Sequence, residues 1–124
     1  MEKMLIFNEQ ATTANIGDAA HDVYMVPASR FLGATNDGTG GVDLVLYFAG
    51  SAEGMADGDS SSVDTVTLTI SDNKHVSVMK ELSQLLYATG PGYTDGAVVA
   101  FDAENSISFS SDVTGIAIAV ATAD

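Results

Sequence analysis

VDTVTLTISDNKHVSVMKEL, from Val63 to Leu82, changes its period near Asp72. Before that point Val66, Leu68 and Ile70 alternate with Thr65, Thr67 and Thr69, which predicts a strand with one apolar and one hydroxyl side. Threonine suits the outer side, because its branched Cβ favours extended backbone while its hydroxyl stays hydrated. After it, Val78, Met79, Leu82, Leu85 and Leu86 recur at helical spacing and form one stripe. The spacing predicts a helix over about 73–88, capped by Asp72 or Asn73 and ended by Gly90 and Pro91 of TGPG. Lys80 and Glu81 are expected to face away. The join therefore reads as a packing device: the strand supplies half a core and the Met79/Leu82/Leu86 stripe returns across the sheet.

The flanking sequence repeats the strand half of this pattern. MLIFN (Met4 to Asn8) has strand length, and a polar loop follows it. VYMVPASRFLGA holds β-branched and aromatic residues, but Pro27 has no amide hydrogen, so it belongs at an edge or a bulge. TNDGTGG (Thr35 to Gly41) predicts a hairpin turn into Val42–Phe48, where Val42, Leu44, Leu46 and Phe48 alternate with Asp43, Val45 and Tyr47. A loop over Ser51 to Ser62 leads back to Val63. GAVVAFD (Gly96 to Asp102), SISFS (Ser106 to Ser110) and TGIAIAVAT (Thr114 to Thr122) read as further strands. In the last, Ile116, Ile118 and Val120 share one face while Ala117, Ala119 and Ala121 share the other, so both faces can be covered. The expected fold is α+β and mainly β. Six or seven short antiparallel strands form a small barrel or sandwich, with the amphipathic helix packed on it, in a single domain spanning 1–124.

Composition sets limits on partners. The chain has 124 residues, 46% of them hydrophobic, and 17 acidic against 4 basic residues, for a formal charge of −13. The four cations, Lys3, Arg30, Lys74 and Lys80, form no patch, which disfavours nucleic acid and anionic membrane surfaces. Without cysteine there is no disulfide framework, thiolate metal site or thiol nucleophile. The apolar run near the N-terminus is too short for a signal-peptide core and no stretch reaches membrane-spanning length, so a soluble cytoplasmic product is expected.

Candidate chemistry is sparse. The glycines of DGTGGVD lack the Walker spacing with lysine and the dinucleotide fingerprint, so a hairpin turn is the better reading. DGDSSSVD brings Asp57, Asp59, Ser61 and Asp64 together as possible oxygen ligands for Ca²⁺. It lacks the glycine and the terminal glutamate that a calcium-binding hand requires, and a solvated acidic loop accounts for it better. His21 and His75 have no partners at metal-site spacing, and no G-x-S-x-G elbow occurs. Asp102 and Glu104 would share one face of an extended segment, yet acid pairs arise by chance in so acidic a chain. No catalytic, cofactor or metal site is assigned, and the expectation is a non-enzymatic protein.

The stretch Val63–Lys80 resembles small virion structural proteins of tailed phages infecting marine bacteria. The resemblance rests on Val63, Asp64, Thr65, Val66 and Thr67, on Asn73 to His75, on Met79 and Lys80, and on the extended DGAVVAFDAEN that follows the helix. It implies a building or decorating subunit located in the virion and assembled in the host cytoplasm, in contact with copies of itself and other virion proteins. The alternative class is a soluble β-rich binding module whose acidic loops take Ca²⁺ or a carbohydrate. A homo-oligomer is expected, with the alanine face of the last strand covered by a partner copy.

Overall fold

The computed structural model describes residues 3–17, 22–36, 38, 40–49, 63–87 and 96–120. Eight strands and one α-helix lie within them: β1 (Lys3–Asn8), β2 (Val23–Pro27), β3 (Phe31–Thr35), β4 (Asp43–Ala49), β5 (Val63–Ile70), α1 (His75–Tyr87), β6 (Gly96–Asp102), β7 (Ile107–Ser108) and β8 (Val113–Ala119). They form two four-stranded sheets, β2-β1-β6-β7 and β3-β4-β5-β8, packed face to face. Of the two architectures expected, the sandwich is the one adopted.

Pro27 explains why there is one strand more than expected. It ends β2, an edge strand, and a 3₁₀ turn over Ala28–Arg30 then turns the chain into β3 of the opposite sheet. A single apolar stretch thus supplies an edge to each sheet. The pairing is antiparallel except between β1 and β6, which run parallel with Ala100 inserted between Ile6/Val99 and Phe7/Phe101. This pair joins segments far apart in the chain, and neither strand's own pattern encodes its direction.

The inward residues follow strand parity. Leu5 and Phe7 of β1, Leu44, Leu46 and Phe48 of β4, and Val66, Leu68 and Ile70 of β5 are all buried. Val78, Leu82, Leu85 and Leu86 of α1 join the same core, with Met79 packed at its margin. Lys3, itself buried, donates from Nζ to the Leu85 carbonyl, a cation on an acceptor of the helix's last turn. The Ser110 hydroxyl donates to Glu81 Oε1 at 2.8 Å, so Glu81 is held against the body instead of facing fully away. These bonds tie the helix to β1 and to the turn before β8.

The helix begins one step later than its expected cap. Lys74 N–H donates to the Ser71 carbonyl, Val78 N–H opens the helix by donating to the Lys74 carbonyl, and Lys74 therefore takes the cap position. Asn73 lies in the left-handed region at φ +60° and gives its N–H to the Gly41 carbonyl at 2.9 Å. Gly41 has φ +75°, and a Cβ there would stand 2.7 Å from Asn73 Oδ1. The positive φ and the close approach of Asn73 together favour glycine at this contact between the hairpin and the helix entry. The TGPG stop and the Ser51–Ser62 loop lie outside the described residues.

Candidate interaction surfaces

The outer face of the β2-β1-β6-β7 sheet is built by the same parity that fills the core. Because Leu5 and Phe7 point inward, Met4, Ile6 and Asn8 point outward. Register places Met25 and Val99 beside Ile6, Pro27 and Ala97 beside Met4, and Val23 and Asp102 beside Asn8. Ile107 extends the last row. Met25 is 56% exposed, Val23 44%, Ile107 42% and Val99 38%. Isolated exposed apolar residues are ordinary, but adjacent rows of them on one sheet face form a patch that a partner would cover.

The opposite sheet presents a different outer face. Thr65, Thr67 and Thr69 of β5 stand beside Ala119, Ala117 and Gly115 of β8, and on their other side beside Tyr47, Val45 and Asp43 of β4. Ile116 and Ile118 pack against the core, whereas Ala117 and Ala119 are exposed. The small-residue side of the last strand is thus exposed at Ala117 and Ala119, and β8 is an edge strand among the described residues.

Polar residues gather where β1 ends, β2 begins and β6 ends. Asn8 Nδ2 donates to Asp102 Oδ1 at 2.9 Å, Asn105 Nδ2 to Asp102 Oδ2 at 2.7 Å, and Gln10 Nε2 to Asp22 Oδ1 at 3.1 Å. The bonds from Asn105 and Asn8 hold the Asp102 carboxyl below the usual carboxylate range. Its contribution to stability is present above the ordinary Asp value and is lost as pH falls through the depressed folded value. Glu9 behaves oppositely. Burial, with the Asp22 charge adding to it, pushes its carboxyl up, against the hydrogen bond it accepts from the backbone of Ile118. A raised folded pKa means that the charged form is disfavoured in the fold, so Glu9 costs stability at neutral pH and ceases to do so once protonated. Glu9→Gln, which keeps an acceptor for Ile118, is expected to raise the denaturation midpoint at pH 7, with the gain vanishing as pH falls below the ordinary glutamate value of 4.5. Urea melts at the two pH values check this, and a destabilised Gln variant at pH 7 would reverse the sign argued here.

The sequence-derived candidates fare differently in the fold. Asp57, Asp59, Ser61 and His21 lie outside the described residues. Asp64, read as a member of the acidic loop, is instead a buried residue of β5, 1% exposed, and its Oδ2 accepts a 2.7 Å bond from the Tyr24 hydroxyl. The reason is parity: position 64 shares the inward side with Val66, Leu68 and Ile70. Burial, the Asp64 hydrogen bond and its charge push the Tyr24 phenol well above its ordinary value, with Arg30 opposing them. Tyr24→Phe is expected to cost about 1–3 kcal/mol, the range for stripping a partner from a buried polar group. A loss below about 0.5 kcal/mol in denaturant melts would mean the bond contributes nothing net. His75 Nε2 lies 2.9 Å from the Asp43 carbonyl, a bond between the helix start and β4 and not a ligand set. Asp102 and Glu104 are not on an extended face, because a turn follows β6 and Glu104 N–H donates to Asp102 Oδ1. The described glycines of DGTGGVD belong to the β3/β4 hairpin connection, as expected. Among the described residues no three His, Asp or Glu side chains come together as a metal site.

Two features escaped the sequence reading. One is the Tyr24–Asp64 pair, visible in principle from the parity of β5. The other is the apolar groove between α1 and β3, lined by Phe31, Ala34, Met79, Leu82 and Tyr87, which depends on β3 joining the second sheet. Comparison with protein-family models, curated proteins and solved structures found no match to this chain.

Proposed function

We propose that this chain is a non-enzymatic structural or decorating subunit of a phage virion, assembled in the host cytoplasm. The observation that carries the reading is the set of exposed residues on the outer faces, among the described residues: large apolar side chains on the first sheet and the alanines of β8 on the second. The resemblance of Val63–Lys80 to virion proteins supplies the kind of assembly. The cation-binding alternative loses one of its three carboxylates, since Asp64 is spent on Tyr24 inside the sandwich. Among the described residues no helix is long and apolar enough to cross a membrane.

Self-association uses the face of β8. Its edge backbone is partly occupied, because the Glu9 carboxylate accepts from Ile118, so the exposed Ala117 and Ala119 are the approach surface. Each copy carries −13, and contacts therefore tighten as salt screens repulsion over a Debye length of roughly 8–10 Å. Light scattering across a salt series is expected to show a mass above the monomer that Ala119→Glu lowers. A monomer at every salt and protein concentration would remove the self-association. Mass spectrometry of purified particles tests membership: consistent absence of the chain from them would overturn the virion reading.

A further inference from the structure

We infer that the outer face of β2-β1-β6 seats a protein partner that brings an apolar surface with lysine or arginine at one end. This extends the reading of an assembly subunit to a second kind of neighbour, distinct from the copy of this chain assigned to β8. Three observations select the occupant.

The first is chemistry across the face. Its central rows, Met25–Ile6–Val99 and Pro27–Met4–Ala97, contain no charged or hydrogen-bonding side chain, and none of its residues is basic. Burying such a surface needs an apolar counterpart.

The second is charge at its rim. Topology brings Asp102 and Glu104, both partly exposed, to the end of the face where β6 finishes, while Asp22 beside them is buried and Glu9 turns to Ile118 of the other sheet. Backbone bonds from Glu9 N–H to the Asp22 carbonyl and from Ala103 N–H to the Asn8 carbonyl hold these segments together. Lys3, the cation on β1, points inward to the helix at the other end of that strand. A partner with cations at the acidic end gains attraction, while a second copy adds another −13 and the same two acids.

The third is size. Strands about 4.8 Å apart with a rise of about 3.3 Å per residue give this face a footprint on the order of 300 Å². Specific complexes bury about 800 Å² on each side whatever the partner, so this face is the apolar centre of a contact that extends over the acidic end.

The absence of cysteine from the chain and the exposure of Met25 make the test direct. The probes are two fluorescein-labelled synthetic peptides of identical length, one alternating leucine with lysine and the other leucine with glutamate, titrated with the full chain by anisotropy. The lysine peptide is expected to bind and the glutamate peptide to remain free. Met25→Lys is expected to weaken lysine-peptide binding at least tenfold. Val76→Lys, the same charge change at an exposed helix position (66% exposed), should weaken it less than threefold. Met25→Ser, a neutral change, is expected to weaken binding by at least threefold, and circular dichroism melts verify that each variant folds.

Equal loss in Met25→Lys and Val76→Lys would show that net charge alone governs binding and would overturn the inference. So would binding of the glutamate peptide, or a wild-type dimer that Met25→Lys dissolves, which would assign the face to a second copy. None of these outcomes bears on whether the chain is found in particles, so this inference and the virion reading fail separately.

Discussion

Phe48→Ala lowers the unfolding free energy by about 3–5 kcal/mol, the largest loss expected from any single truncation in this protein. The side chain is fully buried on β4 and is the point where the two sheets meet through aromatic rings. Its ring centroid lies 5.7 Å from that of Phe31, 6.1 Å from that of Phe7 and 6.1 Å from that of Tyr24, with interplanar angles of 61–65°. These are edge-to-face contacts, each worth about 0.5–1.5 kcal/mol beyond the area buried. Alanine removes three of them and leaves a cavity that strands from both sheets would have to collapse to fill. Phe48→Leu should cost clearly less, because most of the volume is kept while ring geometry is lost. Urea melts of the two variants give the comparison, and equal losses would show that the aromatic arrangement contributes nothing beyond volume.

Leu82→Ala is expected to cost about 2–5 kcal/mol, with Thr67→Ala within about 0.5–1 kcal/mol of wild type. Leu82 is 2% exposed at the centre of the α1 stripe, and its neighbours there, Val78, Leu85 and Leu86, are buried in the same core. Thr67 lies on the other side of β5, on the outer face beside Val45 and Ala117. The pair therefore tests both halves of the Val63–Leu82 join at once. Equal and near-zero losses would mean that the helix does not close the core.

The same join was the most legible part of the chain, because its two periods of two and 3.6 are carried by unambiguous side chains. Val66, Leu68 and Ile70 went inward, and Val78, Leu82 and Leu86 met them, as their spacing predicts. The direction of β1 against β6 was not legible, since register across so much chain depends on the whole packing and not on either segment. The acidity of Asp64 points to the loop before β5, whereas its parity with Val66 places it inward. Its burial with Tyr24 shows that a polar group can take an inward position when a partner from the other sheet meets it. The principal apolar surface was half legible. A strand apolar on both sides needs two covers, and β8 meets that description with alanines on its outer side. MLIFN satisfies it with larger side chains, and its outward Met4 and Ile6 lie in the middle of the exposed face. What the one-dimensional pattern lacks is the knowledge that no second layer of this chain, among the described residues, arrives on that side.

The parallel pairing of β1 with β6 also sets the order in which the molecule can be made. Asn8 and Asp102 stand 94 positions apart, yet they are hydrogen-bonded neighbours. During synthesis β2 can pair with β1 soon after both emerge, and β3, β4 and β5 can form an antiparallel meander of neighbours in sequence. The far side of β1 must wait for β6. Until then its ladder groups are unpaired, and Leu5 and Phe7 have only part of their core. Closing so long a loop is slow, and an open apolar strand held in that state is the species most exposed to wrong pairing. The step that completes the first sheet is therefore expected to be slow in the nascent chain, and it cannot begin before β6 is translated.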